Sequence, residues 1–272
     1  MSCEERRPGR GDGDPATPAT KPRVGIFGLS GCFGEQIVIL NCEDQLLGLL
    51  GEIEIADFLT ASSRNDAAGP LDIAFVEGSV GTAREEAALR RIRERARLLV
   101  AIGSCACFGG VQAAWNGAAR AAAASEIYGA AFAGYDDRPH RPLRDVVRVD
   151  AAIPGCPMEK DEFLQAVACL LNGDLPLPVT YPVCAECRMK EQDCLLLAYG
   201  IHCSGPVTAG GCGARCPGYN APCIGCRGPA DDANTASMEA IITRAGYTVE
   251  DFRRRQRLFA GGSANGHEEI RK

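Results

Sequence analysis

The sequence predicts an α/β fold in two parts: a parallel sheet covered by helices on both faces, then a smaller irregular unit rich in cysteine. Three observations carry this reading. Short apolar runs alternate with helical patterns from Arg23 to Leu171, as expected when crossover helices join the strands of one sheet. A glycine-rich loop, Gly28-Leu-Ser-Gly-Cys-Phe-Gly34, follows the first apolar run directly and opens the first helical pattern. Composition then changes sharply at Asn172-Gly-Asp-Leu-Pro-Leu-Pro178, and eight of the 15 cysteines fall between Cys184 and Cys226.

Taken in order, residues 1–21 are polar and carry Gly, Pro and Thr, the composition of a flexible leader. Arg23–Phe27 reads as the first strand, and Glu35–Leu50 as a helix from its apolar spacing. Glu52–Phe58 and Leu71–Val76 read as strands, Thr82–Ala96 as a charged amphipathic helix with Thr82 as its N-cap, and Leu98–Ile102 as a fourth strand. Val146–Val149 is the expected fifth strand, and Met158–Leu171 a helix. A boundary within 172–178 divides the folded chain into residues 22–176 and 177–272. From Val179 to Pro229 periodicity is weak, so bonds to a ligated metal are expected to supply stability that packing does not. Thr235–Ala245 and Val249–Phe259 read as short closing helices, and the last dozen residues as a frayed end.

Composition narrows the function. The chain has 272 residues, 46 % of them apolar and 24 % charged, which excludes disordered and fibrous classes. At about 150 residues per domain the length allows one large domain or two modest ones. With 29 Lys and Arg against 35 Asp and Glu, the formal charge is −6, and the basic runs are as short as Arg253–Arg255, so a nucleic-acid footprint is absent. No apolar core follows Arg6-Arg7 as an export signal requires, and the Ala-rich stretch from Ala113 to Ala133 is broken by Asn116, Arg120, Glu126 and Gly129, so no membrane span is expected. The expected setting is cytoplasmic. Thiols stay reduced there, so clustered cysteines point to metal or iron–sulfur ligation instead of disulfides, and their odd number agrees.

Ligands of parallel α/β sheets gather at the carboxyl ends of the strands. Cys32 follows the first strand, Cys105 lies in Gly103-Ser-Cys-Ala-Cys-Phe-Gly-Gly110 after the fourth, and Cys156 lies in Ile153-Pro-Gly-Cys-Pro157 after the fifth. Each alone would read as a small buried hydrophobe. Placed in Gly/Pro loops that would converge on one sheet edge, they read together as a shared cluster site. A cubane takes four ligands. Cys32-Phe-Gly-Glu35 has the C-x-x-C spacing with a carboxylate in the fourth place, so Glu35 is the preferred fourth ligand; the rival, Cys42, lies two helical turns further on and reads as helix packing. The loop is no P-loop, because Glu35 stands where the phosphate-binding Lys would be. A flavin phosphate cradle ranks below the cluster reading.

The second group is Cys184, Cys187, Cys194, Cys203, Cys212, Cys216, Cys223 and Cys226, the number that two cubanes require. Two structural zinc sites would use the same residues. The additional thiolate site on the α/β unit favours iron–sulfur, and three His leave little for hydrolytic chemistry.

Together with Val76-Glu-Gly78, Cys203-Ser-Gly-Pro-Val-Thr208 and Pro222-Cys-Ile-Gly-Cys-Arg-Gly-Pro229, these motifs resemble the small, electron-transferring subunit of nickel–iron hydrogenases, in the cytoplasmic F420-, viologen- and NAD(P)-linked group. The resemblance covers residues 22–230. It implies a flavodoxin-like first domain with a proximal 4Fe-4S cluster on Cys32, Glu35, Cys105 and Cys156. It further implies a distal 4Fe-4S cluster on Cys184, Cys187, Cys194 and Cys203 and a medial one on Cys212, Cys216, Cys223 and Cys226. Most relatives carry Cys in place of Glu35, and many exported ones Pro in place of Cys216. Cys3, Cys42, Cys107 and Cys169 are left as structural residues.

By the same resemblance the chain performs no bond chemistry and relays electrons. Its partners would be a nickel–iron large subunit, reached through a large apolar interface for which the Ala113–Ala133 segment is a candidate, and a further flavin or iron–sulfur redox subunit. The alternatives are the small subunit of a complex-I-like assembly, for which eight further cysteines are too many, and a nickel-free hydrogenase-like oxidoreductase. A non-enzymatic zinc module is the third.

Overall fold

The computed structural model describes residues 21–129, 132 and 135–261. The leader expected before Lys21, Cys3, and the frayed end expected after Gly261 lie outside the described residues.

Five parallel strands form one sheet: β1 (Arg23–Gly28), β2 (Glu54–Asp57), β3 (Leu71–Glu77), β4 (Ala96–Ile102) and β5 (Ala151–Ile153), in the order β2-β1-β3-β4-β5. This is the flavodoxin-like order, and it reverses direction between β1 and β3. Crossovers are made by α1 (Gly34–Leu40) and α2 (Glu43–Glu52), then α3 (Ala83–Arg95). The short helices α4 (Gly103–Phe108) and α5 (Gly110–Ala113) leave the end of β4, α6 (Ala118–Tyr128) follows them, and α7 (Lys160–Leu171) leaves β5. The cysteine-rich part contains α8 (Val183–Met189), α9 (Leu195–Tyr199) and α10 (Arg215–Gly218), and the described chain closes with α11 (Thr235–Arg244) and α12 (Val249–Ala260).

The two-residue period of the strands splits the core in two. Ile73 and Phe75 of β3 and Val100 and Ile102 of β4 face α1 and α7, where Phe75 meets Phe163 edge-on with centroids 5.3 Å apart. Ala74 and Val76, with Leu99 and Ala101, face Leu89 and Ile92 of α3. Both faces are covered, which is why the strands read as near-continuous apolar runs. As expected, Thr82 caps α3: its Oγ1 accepts the Glu85 N–H at 3.1 Å.

Three expectations need correction. The helix expected over Glu35–Leu50 is two helices, because the chain turns at Asn41 and Cys42 and Glu43 takes a left-handed φ of 45°. The fifth strand is Ala151–Ile153 and not Val146–Val149. Val146 packs into the second core beyond a 3-10 turn at Leu143–Asp145, and Asp150 sets the register, its N–H donating to Leu99 O (2.8 Å) and its carboxylate accepting the Leu99 N–H (2.8 Å). Cys105 lies in a helix, α4, and not in a loop.

A third cluster forms within residues 183–252, where Val183, Leu196, Val207 and Ala214 meet Met238 and Ile242 of α11 and Phe252 of α12. The cysteine-rich segment therefore does have an apolar core, much of it supplied by the closing helices. Among the described residues no helix is long and apolar enough to cross a membrane.

Candidate metal centres

The first site lies at the β1/β3 reversal. Cys32 leaves the end of β1, and Phe33, with a left-handed φ of 61°, turns the chain so that Glu35 enters α1 beside it. Ligand atoms of Cys32, Glu35 and Glu77 lie within 4.8 Å of one another. Cys105 at the start of α4 and Cys156 in the loop after β5 share the same local field: the Cys105 thiol is acted on by Glu35, Cys32 and Glu77, and the Cys156 thiol by Glu35, Cys105 and Cys32. The structure thus brings together all four residues expected here. Gly103 makes this possible. Its φ is +80°, and a Cβ there would collide with the Glu35 carboxyl group. Cys42 is absent from the site. It is fully buried in the first core, and its thiol donates to Val38 O at 3.5 Å.

Burial dominates the electrostatics. It pushes the Cys105 thiol up to about 11 and Cys156 to about 12, and neighbouring acidic groups add to both. Burial, followed by the Glu77 charge, raises Glu35 to about 7. Crowded thiols that resist ionisation make poor nucleophiles, and they become thiolates when a cationic centre replaces their protons. The donor set fits an iron–sulfur cluster in this respect.

In the second group Cys184, Cys187, Cys194 and Cys203 line one cavity, together with Val183, Leu195 and Leu196. The Cys184 thiol, pushed to about 12 by burial, is acted on by the other three sulfurs. The Cys226 thiol is acted on by Cys212 and Cys216. Cys223 sits between the two sets: its N–H donates to Cys203 Sγ at 3.2 Å, and its thiol, at about 12 through burial, is flanked by Cys203 and Cys226. All eleven cysteines of these groups are free thiols. Cys107 and Cys169, expected to be structural, are buried.

Residues 32–170 match the model of a family described as NADH ubiquinone oxidoreductase, 20 kDa subunit. Over 238 residues the chain is 40 % identical to sulfhydrogenase 2 subunit delta of Pyrococcus furiosus, covering 88 % of this chain and 99 % of that one. The chain belongs to this family, as a small hydrogenase subunit. The enzyme class is therefore that of oxidoreductases acting on hydrogen. The NAD-reducing hydrogenase HoxS subunit delta of Cupriavidus necator is 32 % identical over 187 residues, 60 % of this chain and 88 % of that one. Among solved structures, a chain of an NAD+-reducing NiFe hydrogenase in the H2-reduced state superposes with a TM-score of 0.51 at 28 % identity, over 58 % of this chain and 94 % of that one.

Three residues of this hydrogenase subunit near the sulfur groups escaped sequence reasoning. Glu77 ends β3 inside the first site, 1 % exposed, with Oε2 accepting the Gln36 N–H at 3.1 Å. The signal was present, since Val76-Glu-Gly78 places an acid at a strand's carboxyl end. Glu186 lies inside Cys184-Ala-Glu-Cys187 and folds back to accept the N–H groups of Gly211 (2.6 Å) and Ala214 (2.9 Å), fixing the main chain on both sides of Cys212. Arg227, after Cys226, is buried to 1 % exposure. Spacing gives no sign of it, because an arginine after C-x-x-C reads as a solvated residue.

Proposed function

We propose that this small hydrogenase subunit is the iron–sulfur electron relay of a nickel–iron hydrogenase, carrying electrons between a large-subunit hydrogen-activating site and a further redox subunit. The observation that carries the reading is the gathering of eleven free thiols and the two buried carboxylates of Glu35 and Glu77 into adjoining groups. These run from the carboxyl edge of the sheet into the cysteine-rich segment. Cys32, Glu35, Cys105 and Cys156 would hold a proximal 4Fe-4S cluster, Cys212, Cys216, Cys223 and Cys226 a medial one, and Cys184, Cys187, Cys194 and Cys203 a distal one. Such clusters, when bound, supply one-electron transfer at potentials set by charge, hydrogen bonds to sulfur and burial.

The chain's own residues set those conditions. Glu35 gives the proximal group a harder donor than a fourth thiolate. Glu186 holds the Cys212 turn by two hydrogen bonds, a support of the kind that fixes ligand orientation. At the carboxyl edge Phe33, Ile37, Leu59, Val111 and Trp115 are exposed apolar residues, beside the exposed Cys32 and Cys156. That edge is the proposed face for the large subunit. In the described part of the Ala-rich segment Ala113 and Ala124 are buried, while Ile127 and Tyr128 are exposed.

Anaerobic purification with co-purifying subunits tests the reading. About twelve irons per chain, visible absorbance that bleaches with dithionite, and nickel in a partner subunit are expected. A colourless zinc-containing chain would overturn the relay, and a partner without nickel would overturn the nickel–iron assignment.

A further inference from the structure

Arg227 joins two of the proposed centres without belonging to either. Its side chain is 1 % exposed, and all three guanidinium nitrogens are bonded. Nη1 donates to Pro154 O at 2.7 Å and to Glu162 Oε2 at 2.8 Å, Nη2 donates to Glu162 Oε1 at 2.7 Å, and Nε donates to Gly210 O. Pro154 lies two residues before Cys156, and Gly210 two residues before Cys212. The guanidinium therefore ties the loop of a proximal ligand to the loop of a medial one. It also lies against the main chain of Gly211, where φ is +102° and a Cβ would stand 2.5 Å from Nη2. Only a glycine leaves room for the charge there.

The charge is incompletely balanced. Its partner Glu162 is 22 % exposed, so water screens the carboxylate while the guanidinium acts in a dry, low-dielectric interior. Arg227 follows Cys226 directly in the chain, and its Nε is bonded to the carbonyl two residues before Cys212, so the positive charge lies beside both of these ligand loops. One-electron reduction adds one negative charge at the thiolate-ligated site and makes or breaks no bond. A nearby positive charge therefore stabilises the reduced form over the oxidised one.

We propose that Arg227 is a positioning residue that fixes the Cys156 loop against the Cys212–Cys226 segment and, through its buried charge, raises the reduction potential of the medial centre. The proposal rests on the relay reading above. Arg227 touches no reacting atom, and its effect is exerted through the ligand loops and their field.

The test is a redox titration followed by EPR on the complex as purified, comparing R227Q, R227K and E162Q with the unsubstituted protein. R227Q is expected to lower the midpoint potential of the medial signal and leave the distal one in place. E162Q removes the balancing carboxylate and is expected to raise the medial potential. R227K keeps the charge but loses the fork geometry, and is expected to fall between R227Q and the unsubstituted protein. A purely structural role would not reverse sign between R227Q and E162Q, so shifts in the same direction, or none, overturn the proposal. If R227Q does not assemble, E162Q and R227K decide the matter. Absence of iron–sulfur signals from the unsubstituted complex would instead overturn the relay reading itself, an outcome separate from any variant.

Discussion

Residues 23–171 bury two apolar clusters on opposite faces of one sheet, while residues 183–252 share a third, much of it supplied by α11 and α12. The proposed sulfur ligands follow this division. In the sheet region Cys32 and Cys156 sit on turns and Cys105 in the short helix α4, and all three follow strands that hold one another in register. In the cysteine-rich region the helices bearing ligands are short, α8 with seven residues and α10 with four, and their main chain is held by side chains such as Glu186. Helices of that length are marginal by themselves. The first proposed site is thus a preformed cradle on a scaffold, while the second region, with its short helices, would gain more of its folding free energy from the proposed metal.

The sharpest way to break this contrast is to remove iron. Anaerobic chelation is expected to strip amide-exchange protection from residues 183–230 while β1, β3 and β4 keep theirs, because metal ligation contributes directly to folding free energy there. Loss in the sheet first would reverse the reading. A paired substitution comes next. Phe75→Ala and Phe252→Ala each remove a buried ring at about 3–5 kcal/mol. Phe252→Ala is expected to lower the iron content and Phe75→Ala to lower the melting temperature with the eight-cysteine region still loaded. Equal iron loss in both would erase the distinction.

A smaller effect is expected from Glu35→Cys. The sheet holds that position, so iron content should stay constant while the potential of the proximal signal moves; an unmoved potential would remove Glu35 from the ligand set. The smallest is Thr82→Ala, which deletes the α3 cap at about 1 kcal/mol. It should shift the thermal midpoint of the sheet region and leave every cluster signal unchanged.

How much of this was legible follows from what each feature depends on. The strand-end cysteines were readable because a parallel sheet sends successive loops to one edge, and Glu35 because it stands at a ligand's spacing from Cys32. Ala151–Ile153 carries little strand signal, because its two alanines are weak β formers beside the valines at 146, 147 and 149. Its register comes from Asp150, a tertiary contact. The break at Asn41–Cys42 has no Gly or Pro to mark it. Arg227 and Glu186 were illegible for another reason: their partners lie 65 and 25 residues away along the chain. The third core was hidden in the same way, since Val183, Val207, Met238 and Phe252 form no periodic pattern.

The seam between the two regions has an evolutionary consequence. The Cys156 N–H lies against the Cys226 sulfur, the Ser104 hydroxyl donates to the carbonyl of Cys226, and Gly228 packs under the ring of Phe108. With the bonds of Arg227 to Pro154 and Glu162, these contacts tie the cysteine-rich segment to side chains and loops of its own sheet. A recombination event that moved residues 179–261 onto a different sheet would have to bring Ser104, Phe108, Pro154 and Glu162 with them. The segment and its sheet are two halves of a matched pair, and a substitution on one side of the seam constrains what the other side can accept.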